Sequence, residues 1–177
     1  SFLFIMINMG LNQGMQPIAG YNFGARKYSR VKEVYMKTAL YATIVTSLCF
    51  IVSVVFPGIV TRAFTNDEEL IAAANHGLRI MNLIFPLVGF QIVSTNLFQC
   101  LGMVQKSIFL SLARQILCLL PVLYLLPLAF DSDGIWWSFP ISDAFASILT
   151  IILIIQLFKK LNKLQDGDDP AILGSKI

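Results

Sequence analysis

Charge in this chain is confined to short connections between long apolar runs, and that placement constrains the fold more than any other feature. A helix needs about 20 mostly apolar residues to cross about 30 Å of hydrocarbon. Five segments qualify, at about 1–23, 38–60, 77–101, 108–130 and 134–158. Only 13% of the residues are charged, against about 25% in an ordinary soluble domain. A water-soluble globule of this composition would expose large apolar patches. The reading is an all-α polytopic membrane protein. Residues 1–164 form one transmembrane bundle, and residues 165–177 form a polar tail with Asp166, Asp168 and Asp169, expected to be disordered. The first span begins directly in apolar sequence at Ser1, so a helix entered partway, and a fragment of a longer chain, is expected.

The connections fix the orientation. Arg26, Lys27, Arg30, Lys32 and Lys37 follow the first span against a single Glu33. The next connection is acidic, with Asp67, Glu68 and Glu69, and the one after it carries Lys106, with Arg114 read as just inside the following helix near the same surface. Asp131 and Asp133 then stand without a neighbouring cation, and the last span runs into Lys159, Lys160 and Lys163. Eleven of the thirteen Lys and Arg residues, all but Arg62 and Arg79, therefore fall on one side. By the positive-inside rule that side is cytoplasmic, and the chain ends there. Short connections before the last two spans make the last three helices antiparallel neighbours. The acidic connection suggests either a plain solvated loop or a short interfacial helix capped by Asn66 with Glu69 as its reciprocal partner.

Polar side chains inside a membrane helix face partners, water or ligand, because lipid cannot satisfy them. In the first span Asn8, Asn12 and Gln16 recur every four residues and form one stripe, with Gln13 beside it. Pro17 follows directly and is expected to bend the helix, while Gly10 and Gly14 make a small-residue pair suited to close helix contact. The third span carries Asn82, Pro86, Gly89, Val93 and Asn96 along one seam, a stretch expected to flex at Pro86. Two readings remain open for these amides: lining of a cleft by Asn12, Gln16, Asn82 and Asn96, or dry links between neighbouring helices. In the fourth span Ser111, Gln115 and Cys118 share one side, before Pro121 and Pro127.

Asp143 is the most informative single residue, about 12 Å into a span that begins near Ile135. It is read as a carboxylate paired with Arg79 or an amide, as an ion-coupling site, or as the cap of a helix that starts after Pro140. Cys49, Cys100 and Cys118 are too far apart for a metal site and read as buried small hydrophobes. No metal, cofactor or nucleic-acid partner is expected. The only histidine, His76, has no second His or nucleophile at catalytic spacing, so the chain does not read as an enzyme.

The run Gly14-Met15-Gln16-Pro17-Ile18-Ala19-Gly20-Tyr21-Asn22-Phe23-Gly24-Ala25-Arg26 resembles the end of the eighth helix of multidrug and toxic compound extrusion (MATE) transporters. Phe64-Thr65-Asn66-Asp67, Gln99-Cys100-Leu101-Gly102 and Gly134-Ile135-Trp136-Trp137 with Pro140, Ser142 and Asp143 are similar in order and spacing. The resemblance implies helices eight to twelve of a twelve-helix, two-lobe antiporter of the bacterial inner membrane. It implies export of small organic cations or amphipathic toxins in exchange for Na⁺ or H⁺, with a missing N-terminal lobe as partner. Some branches of the family place an acid in the middle of the tenth helix. Here Phe85-Pro86-Leu87-Val88-Gly89-Phe90-Gln91 has none, so coupling is expected in the missing lobe. Two alternatives are a flippase for lipid-linked saccharides, with a cationic groove, and a non-transporting structural or receptor subunit, with a dry polar stripe. A lone lobe is expected to associate and not to transport.

Overall fold

A computed structural model describes residues 2–56 and 67–169, all of it helix and connection. Helix α1 spans Phe2–Gly24, α2 Tyr28–Val55, α3 Glu68–Met81 and α4 Phe85–Cys100. Two further helices are α5 over Val104–Pro127 and α6 over Gly134–Leu161. Among the described residues three helices, α2, α5 and α6, are long and apolar enough to cross a membrane, and α3 with α4 makes a fourth crossing if the bent pair is one span. Helix α1 has 23 residues but is not among them. Its amide stripe, Asn8, Asn12, Gln13 and Gln16, dilutes its apolar character.

Helical backbone runs on from Leu120 to Leu161, yet the chain reverses within it. A Cβ added to Gly134 would lie 2.5 Å from the Leu126 carbonyl oxygen, whereas eight residues of straight helix span about 12 Å. The Ser138 hydroxyl donates to the Val122 carbonyl at 3.3 Å, one turn further along both arms. Helices α5 and α6 are therefore an antiparallel hairpin, and only a residue without a side chain fits at its tip.

The third span is broken where continuous helix was expected. The axes of residues 74–81 and 85–100 differ by 51° across Asn82, Leu83 and Ile84. Pro86 sits in the first turn of α4 and has no N–H to donate backward, which favours a new helix start over a continued one. Single-turn bonds from Leu83 N–H to the Ile80 carbonyl and from Phe85 N–H to the Asn82 carbonyl bridge the break. Pro17, in contrast, lies inside an uninterrupted α1. The amphipathic segment anticipated in the acidic connection is the start of α3, where Asp67 accepts the Leu70 N–H at 3.4 Å. Asn66 lies outside the described residues.

The apolar core gathers at one end of the bundle, where Ala19, Tyr28, Val31 and Tyr35 meet Val93, Leu97, Phe98, Leu157 and Leu161. Gly89 lets α2 and α4 approach closely: a Cβ there would stand 2.8 Å from the Ala42 carbonyl oxygen. Tyr35 buries its ring against Phe158, centroids 5.4 Å apart, and shares a 2.9 Å hydrogen bond with Ser94. Gly10 and Gly14 meet no described helix.

The same end is fastened by the start of the tail. The Asp166 carboxylate accepts the Ser29 N–H at 3.0 Å and the Ser29 hydroxyl at 2.5 Å. Gly167 N–H donates to the Arg26 carbonyl, and the Tyr28 hydroxyl donates to the Asp168 carbonyl. Residues 166–169, expected to be loose, thus form a strap over the α1–α2 turn. Lys27, at the cap position of α2, supplies no side-chain acceptor, so the tail provides the cap from a distance in sequence.

Candidate functional site

The buried polar groups converge on two features, an ion pair and a cavity. Arg114 donates from Nε to Asp143 Oδ1 at 2.8 Å. Arg114 lies ten residues beyond the start of α5 and Asp143 nine beyond the start of α6, so each is about 14–15 Å from its own end of the span. The pair therefore sits near mid-depth of a layer about 30 Å thick. The hairpin register set by 126 with 134 and 122 with 138 carries residue 114 to within one turn of 143. Asp143 is thus neither a partner of Arg79 nor the cap of a helix starting after Pro140. Helix α6 begins well before Pro140, and Arg79 is on the exposed side of α3. Arg114, which the sequence places close to the membrane surface, belongs to the interior because α5 starts earlier than the apolar run suggests.

The backbone around Arg114 departs from α geometry. Ala113–Leu119 forms a π-helix. Pro121, just beyond it, cannot donate to the turn behind, and the ladder widens to accommodate the missing donor. Widening changes the direction of the side chains it carries, among them Arg114 and Gln115. Such segments are frequent at functional sites.

Between α4 and α5 opens a cavity of about 300 Å³. Gln91, Thr95 and Asn96 face it from α4, and Ser107, Ser111, Arg114 and Gln115 from the start of α5, with Ile92 and Leu110 as its apolar wall. Asn96 accepts a 3.2 Å hydrogen bond from Gln16 Nε2, which ties α1 to the cavity wall. Gln91 is only 3% exposed, and its Oε1 has no hydrogen-bond partner.

Of the four amides that the sequence singles out, the structure joins Gln16 and Asn96 and leaves the other two apart. Asn12 is buried, donates to the Asn8 carbonyl of its own helix and does not face the cavity. Asn82 is buried at the α3–α4 break and donates to the Leu78 carbonyl. Gln91, Thr95, Ser107 and Arg114 carry no site signal in the sequence. Ser111 and Gln115 share one face of the fourth span by their spacing, and that face is the signal that leads to the rest.

Long apolar helices around an ion pair and an open polar cavity define a polytopic membrane protein. The MatE family model matches residues 1–125, and the chain belongs to the multidrug and toxic compound extrusion (MATE) family, whose members are transporters and not enzymes. Among curated relatives, the multidrug export protein MepA of Staphylococcus haemolyticus is 24% identical over 156 residues, covering 88% of this chain. MepA of Staphylococcus aureus strain MSSA476 is 23% identical over the same length. The chain spans about a third, 34%, of the length of these relatives. The solved structure of the MATE multidrug transporter DinF-BH is 41% identical with a TM-score of 0.83, over 88% of this chain and 35% of that one. An outward-facing MATE transporter of the MOP superfamily, 19% identical, shares the fold at a TM-score of 0.84 over 92% of this chain and 37% of that one.

Proposed function

We propose that this chain works as five crossings of a multidrug antiporter, corresponding to helices eight to twelve of its two-lobe relatives. The assembly exports small organic cations and amphipathic drugs from a bacterial inner membrane in exchange for Na⁺ or H⁺. The clustering of basic residues at one end supports a cytoplasmic C-terminus. The observation that carries the reading is the contact of Gln16 with Asn96 on the wall of an open cavity at membrane depth. Neutral amides there offer carbonyl oxygens to a cation without adding a buried charge.

Gln16 and Asn96 are the cleft residues of this proposal, Pro86 its flexing point and Asp143 its ion-coupling candidate, whereas Asn12 and Asn82 stand apart from the cavity. A lipid-linked saccharide flippase is less well supported. Among the described residues Arg114 is the one cation on the cavity wall, and a carboxylate backs it. A dry structural subunit fits poorly with a cavity of this size.

The test is efflux of ethidium, a fluorescent organic cation, from cells whose own exporters are deleted and which express the complete transporter. Efflux that stops when the membrane ion gradients are collapsed supports the proposal. Ethidium retained at the level of an empty-vector control, with the protein folded in the membrane, contradicts it.

A further inference from the structure

A second cavity, of about 390 Å³, opens between the α3–α4 break and α6. Leu83 and Ile84, two of the three residues in the break, form one wall, and Trp137, Pro140, Ala144 and Ile148 on α6 form the other. Ligand pockets combine apolar walls with a few polar groups that orient the ligand. Here, among the described residues, the wall exposes no polar atom. Such a notch holds hydrocarbon and nothing that needs a counter-charge or a hydrogen bond. Its length narrows the occupant further. Trp137 to Ile148 is eleven residues of helix, about 16 Å, and the whole hydrocarbon layer is about 30 Å thick. The notch therefore starts near the interface at the hairpin end, where a tryptophan ring is at home, and stops near the midplane. A helix crossing the bilayer would need a groove about twice as long, whereas one acyl chain of one leaflet needs no more than this.

A cation stands where the headgroup of such a lipid belongs. A Cβ added to Gly77 would lie 2.6 Å from the Trp136 ring, so α3 passes the start of α6 at residue 77. Arg79 follows two residues later and one turn before Leu83. It is exposed, and among the described residues it has neither a hydrogen bond nor an ion pair. Helical side chains lean toward the N-terminus of their helix, which for Arg79 is the direction of the hairpin end and the headgroup layer. A long arginine stem reaches that layer while its carbons stay on apolar surface. The guanidinium fork there matches two oxygens of a phosphate. We infer that the notch holds one acyl chain of a phospholipid whose phosphate pairs with Arg79. The chain packs against the two break residues on one side and α6 on the other, and so supports the 51° bend between α3 and α4. Such a lipid is a structural ligand and not cargo, and its site stands whether or not the protein exports drugs.

The experiment is photolabelling of the complete transporter in phosphatidylcholine vesicles that carry a trace of phosphatidylglycerol with a diazirine at the end of one acyl chain. A diacylglycerol with the same chain lacks the phosphate and serves as the comparison. Leu117, exposed on α5 and placed across from residue 143 by the hairpin register, reports ordinary contact with lipid at a similar depth. Peptide mapping should find phosphatidylglycerol labels at Phe145 and Ile148 severalfold more often than at Leu117, and severalfold more often than labels from the diacylglycerol. Ala144→Phe fills the notch and should bring those labels down to the Leu117 level. Arg79→Gln changes an exposed side chain and should bring phosphatidylglycerol down to the diacylglycerol level. Melting temperatures equal to that of the parent check that both variants fold, and the Arg79 variant decides the matter if Ala144→Phe does not. Labels at Phe145 and Ile148 no more frequent than at Leu117 would mean that another helix of the complete transporter fills the notch or that no lipid is retained there, and either overturns the inference. Notch labelling that is equal for the two probes, or that survives Arg79→Gln, overturns it as well, because no phosphate would then be recognised.

Discussion

Arg114 and Asp143 come from adjacent arms of one helical hairpin, 29 residues apart, and meet at 2.8 Å near mid-membrane. Neither charge is tolerable there alone, and removal of one partner strands the other. Asp143→Ala should lower stability by about 3 kcal/mol, the lower end for a broken buried pair because Arg114 retains some exposure. Asp143→Asn keeps the shape but also leaves the guanidinium without a counter-charge. Arg114→Gln added to Asp143→Asn should recover folded protein, measured as the monodisperse fraction after extraction. If Asp143→Ala extracts as well as the parent, the pair does not hold the hairpin.

Close approach of α2 and α4 depends on the missing side chain at Gly89. A Cβ there would stand 2.6 Å from the Thr46 hydroxyl and 2.8 Å from a backbone oxygen, and the backbone cannot yield as a side chain can. Gly89→Val should therefore cost about 1–3 kcal/mol by overpacking, with a lower melting temperature in detergent. Gly10→Ala, where nothing stands within 4 Å, serves as the control and should not lower it.

The strap over the α1–α2 turn is held by one carboxylate. Hydrogen bonds from the Ser29 hydroxyl and N–H hold Asp166 below the ordinary carboxylate range. A depressed carboxylate contributes stability that is fully present above its unfolded value, about pH 4, and lost as pH falls through the folded one. The strap should stay closed at neutral pH and open in more acidic solution. Amide exchange at Ser29, followed by mass spectrometry, should accelerate in Asp166→Ala already at pH 7. Unchanged exchange in that variant would mean that the strap does not cap α2.

The helical architecture is legible in the sequence because period and composition act locally. Charge-free runs locate the three helices, α2, α5 and α6, that are long and apolar enough to cross a membrane, while α1 and the bent α3–α4 pair show that apolar length alone does not settle the count. The α3–α4 break is legible only as a flexing point, since Pro86 can kink a helix or begin a new one and the neighbouring helix decides which. The strap is invisible because Asp166 finds its partner across more than 130 residues, and polar composition alone resembles disorder. For the ion pair, each charge is visible but not its depth. Arg114 reads as a surface charge because the apolar run hides the first turn of α5, which begins at Val104. Counting back from the hairpin tip places it opposite Asp143.

The central claim is that the Asn96 and Gln115 wall belongs to a water-accessible transport path. After replacement of Cys49, Cys100 and Cys118, single cysteines at Asn96 and Gln115 in the complete transporter can be probed with a membrane-impermeant thiol reagent applied from each side. The account predicts labelling from at least one side, slowed by ethidium, with the reactive side changing when the ion gradient is reversed. Cysteines that stay unreactive from both sides under every gradient, in protein that still exports ethidium, would contradict it and leave these amides as dry contacts between helices.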